Sequence, residues 1–261
     1  MIIDTHCHLD DKRFDEDLDE VIERAKEHDV KGFLIPGADP KTLEKARKIA
    51  HRFDGVFYAA GVHPYDIEMY DEEYLMKYLE DPKCIAVGEC GLDYYRLPED
   101  EASKHEVIAM QKRVFAAQIE LAKRVEKPLI VHIRDASSDS KEILVKHEAK
   151  EVGGVLHCYN ADEQLLSLAQ DNFYYGIGGV LTFKNAKKLP HVLPKIPMDR
   201  IVVETDAPYL TPHPYRGKRN EPLYTRYVVE KIADILSISF DEVAAVTTDN
   251  AKRLFKEFAT L

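Results

Sequence analysis

Residues 2–8 read Ile2-Ile3-Asp4-Thr5-His6-Cys7-His8, an apolar start running into two histidines two positions apart. In an extended strand, residues i and i+2 face the same side. His6 and His8 therefore project together, and Cys7 projects the opposite way. The segment reads as a first β-strand ending in a pair of metal-type ligands. Working outward, short β-rich runs recur at Gly32–Gly37, Val56–Val62, Ile85–Glu89, Leu129–Ile133, Gly154–His157, Tyr174–Ile177 and Ile201–Thr205. Two of these close on a carboxylate or a histidine, Glu89 and His157.

Amphipathic stretches lie between the runs, at Leu18–His28, Lys41–His51, Gln111–Val125 and Lys141–Glu148. Within one of them Val107, Val114, Phe115, Gln118, Leu121, Ala122 and Val125 recur at helical steps. Strands alternating with helices imply a parallel sheet of the α/β class. Eight such units with no Pro- or Gly-rich linker predict one (β/α)8 TIM barrel spanning residues 1–261 as a single domain. The chain's 261 residues match the roughly 250 typical of that fold. An additional C-terminal helix, Phe240–Phe258, is expected to pack against it. The longest irregular stretches, Asp93–Ser103 and Pro208–Pro222, follow strand ends, where barrels place substrate-binding loops.

The formal net charge of −11 disfavours broad electrostatic attachment to nucleic acid or anionic membrane. A polyanionic substrate would need bound cations or a local basic patch. No apolar run is long enough to span a bilayer, and the acidic N-terminal segment lacks the basic, then apolar, pattern of a signal peptide. The expected location is the cytoplasm, with no membrane partner. Four scattered cysteines form no CxxC pair, which argues against a zinc knuckle. By strand parity Cys7 packs outward, and Cys90 and Cys158 are expected to do the same.

The placement of ligand-type residues carries the chemistry. His6 and His8 end the first strand, Glu89 the fourth and His157 the sixth; His132 lies near the end of the fifth, and Asp206 follows the eighth. A lone histidine at a strand end is ordinarily a hydrogen-bonded or exposed residue. Six ligand-type residues at one end of five strands are not a chance scatter, because barrel active sites form on that rim. Imidazoles with two carboxylates suit divalent zinc, manganese or a similar ion. His28, His51, His105, His147 and His191 fall on helices or loops and read as surface residues. Substrate-binding candidates are Arg134, two residues past His132; His63, at the end of the third strand; and Arg216, Lys218 and Arg219, in the loop after Asp206. Arginine offers a planar fork suited to phosphate oxygens. Tyr94, Tyr95 and Arg96 form a second rim segment with planes that suit base stacking.

These residues fall in a set of motifs: Asp4-Thr5-His6-Cys7-His8-Leu9, Gly61-Val62-His63-Pro64, Gly88-Glu89-Cys90-Gly91-Leu92-Asp93-Tyr94, Val131-His132-Ile133-Arg134, His157-Cys158-Tyr159, Glu204-Thr205-Asp206-Ala207-Pro208 and Arg216-Gly217-Lys218-Arg219-Asn220-Glu221-Pro222. Taken together, and across essentially the whole chain, they resemble the TatD-type metal-dependent deoxyribonucleases of the amidohydrolase-like superfamily. The resemblance implies two divalent ions (zinc, manganese or magnesium) held by His6, His8, Glu89, His132, His157 and Asp206, with Glu89 bridging. The Ile85–Glu89 strand has no lysine for the carbamate bridge of other branches. The expected chemistry is phosphodiester hydrolysis by a metal-bridging hydroxide, with Asp206 as general base. The implied substrate is single-stranded DNA, degraded 3′ to 5′ from its ends, with RNA as an extension. The alternative is an amide or ester hydrolase, such as an aminoacyl-tRNA deacylase, because the same nucleophile attacks a carbonyl.

Overall fold

The computed structural model describes residues 1–261. Eight strands lie in sequential order in one parallel sheet: β1 (Ile2–Asp4), β2 (Val30–Ile35), β3 (Val56–Ala60), β4 (Cys84–Asp93), β5 (Leu129–Arg134), β6 (Gly154–Leu156), β7 (Phe173–Ile177) and β8 (Ile201–Val203). The backbone beyond β1 and β8 completes the barrel. Thr5 N–H donates to Val203 O, Asp206 N–H to His6 O and His8 N–H to Ala207 O. The expected barrel is the observed one.

Strand parity sorts the core into two layers. Ile3, Leu34, Ala59, Ile85, Ile130, Val155, Tyr174 and Val202 fill the barrel interior. Alternate residues such as Ile2, Phe33, Ile35, Tyr58, Val131 and Tyr175 pack outward under the helices. The helices are α1 (Leu18–Glu27), α2 (Leu43–Arg52), α3 (Glu72–Leu79), α4 (Glu101–Val125), α5 (Ser137–Lys146), α6 (Lys188–Val192), α7 (Thr225–Leu236) and α8 (Phe240–Leu254). α4 buries Val114, Phe115, Gln118, Leu121 and Ala122 along the stripe read from the sequence. Asp100 caps its start by accepting from Ser103 N–H at 2.8 Å, the contact that satisfies an otherwise orphaned amide.

Four features differ from expectation. β4 runs on to Asp93, so the rim segment after it begins at Tyr94 and is shorter than the sequence suggested. α4 starts at Glu101, ten residues before the apolar stripe becomes dense, because its first turns are largely exposed. The β6–β7 connection is a 3-10 helix, Glu163–Asp171, and α6 has only five residues, so the helical ring is thin on that side. The C-terminal helix ends at Leu254 and is followed by a 3-10 turn, Lys256–Thr260. Leu254, Phe255 and Phe258 join the interior layer and close the N-terminal end of the barrel.

Candidate metal centre

The opposite, C-terminal end of the barrel is built from polar residues that the backbone places with little freedom. Buried Asp4 accepts from His6 N–H (3.2 Å), Thr205 N–H (3.0 Å) and the Thr205 hydroxyl (2.6 Å). It thereby ties the turn after β1 to the turn after β8. Asn220 donates to Thr205 O at 2.9 Å and pins the following loop beneath the same turn. Asp206 itself has a φ of +58°, a left-handed conformation rare for a side-chain-bearing residue and typical of functional sites.

Two glutamines seven positions apart on α4 perform the matching task on the other side. Gln118 both accepts from Val62 N–H (2.7 Å) and donates to Val62 O (3.0 Å), fixing the backbone before His63. Gln111 does the same to Asp93 N–H and O, each at 3.0 Å. Gly91 permits the close approach of β4 to β5: its φ is +143°, and a Cβ there would meet His132 O at 2.0 Å.

On this frame the six ligand-type residues come together. His6 Nε2 lies 3.3 Å from His8 Nε2, 3.4 Å from Glu89 Oε2 and 3.7 Å from Asp206 Oδ1. His8 Nε2 lies 3.3 Å from the same Asp206 oxygen. The second Glu89 oxygen, Oε1, is 2.9 Å from His132 Nδ1 and 3.7 Å from His157 Nε2. Lone pairs of imidazole nitrogens and carboxylate oxygens thus converge in two neighbouring groups, one at each oxygen of Glu89. Protons alone satisfy such convergence poorly. A divalent cation with nitrogen and oxygen ligands fits the donor set. Groups that can hold a metal are His6–His8–Asp206 and His6–Glu89–His157, with a further set at His63–Asp93–His132.

The electrostatics follow from burial and mutual charge. Burial opposes ionisation of Glu89, but His157 and His6 outweigh it and hold the carboxyl well below its usual range. Burial depresses His6, with His157 adding to the effect. Burial also works against the His157 imidazolium, yet Glu204 and Glu89 override it and push its pKa to about 10. Burial lowers His63 to about 4, so its ring is neutral at physiological pH. Tyr65 N–H donates to His63 Nδ1 at 3.1 Å, which leaves the ring proton on Nε2. That nitrogen points into the site, 3.7 Å from Glu89 Oε1.

Two carboxylates escaped the sequence reading as functional residues. Asp93 Oδ2 lies 2.8 Å from His132 Nε2. Its oxygen accepts a hydrogen bond from that ring N–H, which turns Nδ1 toward Glu89. Glu204 Oε1 lies 3.0 Å from His157 Nδ1 and accepts from Cys158 N–H at 2.7 Å. Gly176 makes room for it, since a Cβ there would stand 2.2 Å from Glu204 Oε2. Both stood in the quoted motifs. For Asp93 the signal was its i+4 spacing from Glu89, which on a strand means the same face.

The substrate-side candidates separate. A cavity of about 780 Å³ opens over His132, His157 and Asp206, and Arg134, Asn160, Lys187, Lys188, Tyr209 and Leu210 help to line it. Arg134 has no carboxylate partner. Arg216 and Lys218 are exposed and unpaired but lie outside that lining, Arg216 stacking over Phe183 at 3.9 Å and donating to Thr211 O. Arg219 requires a correction. Its fork is taken by Asp17 (2.6 and 2.8 Å), Glu221 (2.9 Å) and the Arg13 carbonyl, so it clamps the loop to the start of α1. Cys158 also departs from expectation: Cys7 and Cys90 pack in the outer layer, but Cys158 is partly exposed and lines the cavity. A φ of +44° there breaks the strand parity that the expectation relied on.

The family model for TatD related DNase matches residues 3–256. An uncharacterized metal-dependent hydrolase of Bacillus subtilis, YabD, is 44% identical over 98% of this chain and 99% of its own. The 3′-5′ ssDNA/RNA exonuclease TatD of Shigella flexneri is 32% identical, covering 97% of this chain and 98% of that protein. Among solved structures, the TatD homologue YJJV of Escherichia coli superposes with a TM-score of 0.89 at 27% identity, covering 98% of both chains.

Proposed function

Because this chain belongs to the TatD-related DNase family of metal-dependent hydrolases, we propose that it is a phosphodiesterase that removes nucleotides from the ends of single-stranded DNA, and of RNA by the same chemistry. One observation carries the reading. Imidazole nitrogens gather on both oxygens of Glu89, beside a cavity lined by His132, His157 and Asp206 whose wall bears the unpaired cations Arg134, Lys187 and Lys188. The polarity 3′ to 5′ is taken from the Shigella relative's name.

In this proposal His6, His8, Asp206 and Glu89 would hold one divalent ion, and Glu89, His132 and His157 would hold a second. Bound ions supply a water acidified toward pKa ~7 and Lewis acidity toward a phosphoryl oxygen. The chain's own residues do the rest. Asp206, a carboxylate at neutral pH because its hydrogen bond to His8 and the charge of His157 outweigh its burial, accepts the proton of the attacking water. The water oxygen bonds to phosphorus, the bond from phosphorus to the leaving sugar oxygen breaks, and that oxygen takes the proton that Asp206 accepted. His63 Nε2–H, 3.7 Å from Glu89 Oε1, is a neutral hydrogen-bond donor facing the same site. Arg134 receives a non-bridging oxygen through its fork. No membrane enters this picture, and no helix is long and apolar enough to cross one.

The test uses protein stripped of metal and reloaded with Mg²⁺, Mn²⁺ or Zn²⁺. It is incubated with end-labelled single-stranded DNA, RNA and a panel of esters and amides, beside Glu89→Ala. Stepwise nucleotide release lost in the variant supports the proposal. Release that persists in Glu89→Ala is a contaminant's activity, and preferential ester or amide turnover replaces the proposal with a carbonyl-directed hydrolase.

A further inference from the structure

Five large apolar or aromatic side chains are exposed on this protein, and three are tyrosines at the metal end of the barrel: Tyr65 (41%), Tyr95 (58%) and Tyr209 (47%). Each stands beside a residue of the centre or of its cavity. Tyr65 packs edge-on to His63 at 5.0 Å. Tyr209 meets His8 at 5.9 Å and lines the cavity. Tyr95 lies under Arg134, which lines the same cavity. Each ring also carries a guanidinium: Arg134 is 3.6 Å from the centre of Tyr95, Arg96 is 5.5 Å from Tyr65 and Arg13 is 4.2 Å from Tyr209.

Exposed aromatic rings cost solvation free energy, and a surface of net charge −11 has little need of them. Arginine planes on such rings form a second flat, cationic face. We propose that these three Tyr–Arg pairs are stacking platforms for unpaired nucleobases, so that the enzyme holds its substrate by base faces as well as by phosphates. The inference rests on the phosphodiesterase reading above and deepens it. An unpaired base offers a π-face whatever its identity, and the adjoining phosphate meets the guanidinium. A neutral sugar chain also stacks on tyrosine but leaves the Arg134 and Arg96 cations without a partner. A duplex buries the faces that the platforms need.

The pairs are not equivalent. Arg134 and Arg96 have no carboxylate partner, whereas Arg13 is bound bidentately by Asp11 at 2.8 and 2.9 Å. The Tyr95 platform therefore contributes most and the Tyr209 platform least. Tyr94, the neighbour of Tyr95 in sequence, is not one of them, because its ring packs against the core instead of facing solvent.

The experiment measures KM and kcat of the metal-loaded enzyme on single-stranded oligonucleotides. One series carries ordinary bases; the other has abasic sugars at the terminal nucleotides on the same backbone. Tyr95→Ala is expected to raise KM on the base-bearing series by roughly 5- to 100-fold with kcat little changed, the range for loss of one stacked base. On the abasic series it changes little, and Tyr95→Phe restores the wild-type preference. Tyr65→Ala and Tyr209→Ala follow with smaller rises. An equal KM rise on both series, no rise on either, or competition by a neutral oligosaccharide as strong as that by a base-bearing oligonucleotide overturns the inference while leaving the phosphodiesterase reading intact. Failure of the wild type to release any nucleotide overturns both.

Discussion

The two ends of this barrel solve opposite problems with the same eight strands. At the N-terminal end Leu254, Phe255 and Phe258 enter the interior and complete an apolar layer with Ile3, Phe57 and Ile85. At the C-terminal end the layer above is made of His6, Glu89, His157, Asp4 and Glu204, all buried. The first end lowers the free energy of the fold. The second raises it, because buried carboxylates and imidazoles lose hydration unless partners replace the water. Positive φ occurs at both ends, but at the far end it falls on helix C-caps such as Glu126 and Asn172, whereas here it falls on Asp206 itself and on Cys158 beside His157. Function sits where the fold is least comfortable, and the plug at the far end helps to make that tolerable.

The contrast can be broken from either side. Phe258→Ala removes a fully buried ring that meets Phe57 edge-on at 5.0 Å. It should cost about 3–5 kcal/mol of unfolding free energy, read by denaturant titration, while kcat of the folded fraction stays unchanged. A fall in metal content instead would mean that the two ends are coupled.

Glu204→Gln acts at the other end. It keeps the shape but removes the charge that holds His157. Metal affinity should fall roughly 10- to 100-fold, as for loss of a carboxylate behind a ligating histidine, and the metal-free protein should also lose stability, because protonated His157 loses its buried partner. An unchanged affinity would make Glu204 a packing residue.

The smallest effect is expected from Arg219→Ala. Its partly solvated ion pairs with Asp17 and Glu221 contribute no more than about 1 kcal/mol. KM for oligonucleotide should stay unchanged, and a large KM rise would restore the substrate role that the sequence first suggested.

The sequence disclosed the two ends unequally. The candidate ligands could be picked out because strand parity and approximate strand ends are local properties: the His6/His8 spacing and the histidines near the ends of β5 and β6 can be read without a fold. The barrel was legible from alternation alone. What stayed hidden depends on contacts between distant segments. Arg219 sits near Asp206 in sequence, but its partner Asp17 is about two hundred residues away. Asp93 looked like the start of a loop, because nothing local says that β4 continues past Glu89 until Gln111 clasps it. Lys187 and Lys188 reach the cavity because the connection between β7 and β8 passes over the mouth, a path that no local pattern announces. The early turns of α4 lack a dense apolar stripe because solvent faces them, so periodicity could not find them.

The central claim is that the mouth of the barrel holds divalent metal on the two oxygens of Glu89, and calorimetric loading of the stripped protein tests it most directly. With its pKa raised to about 10, His157 is protonated in the metal-free protein at pH 7 and must lose that proton to become a ligand. Titration with Zn²⁺ or Mn²⁺ in buffers of different ionisation enthalpy should give about two ions per chain and a net proton release of at least about one. In Glu89→Ala both the stoichiometry and the release should fall. Binding near zero at every metal concentration, or two ions bound equally well without Glu89, would contradict the account.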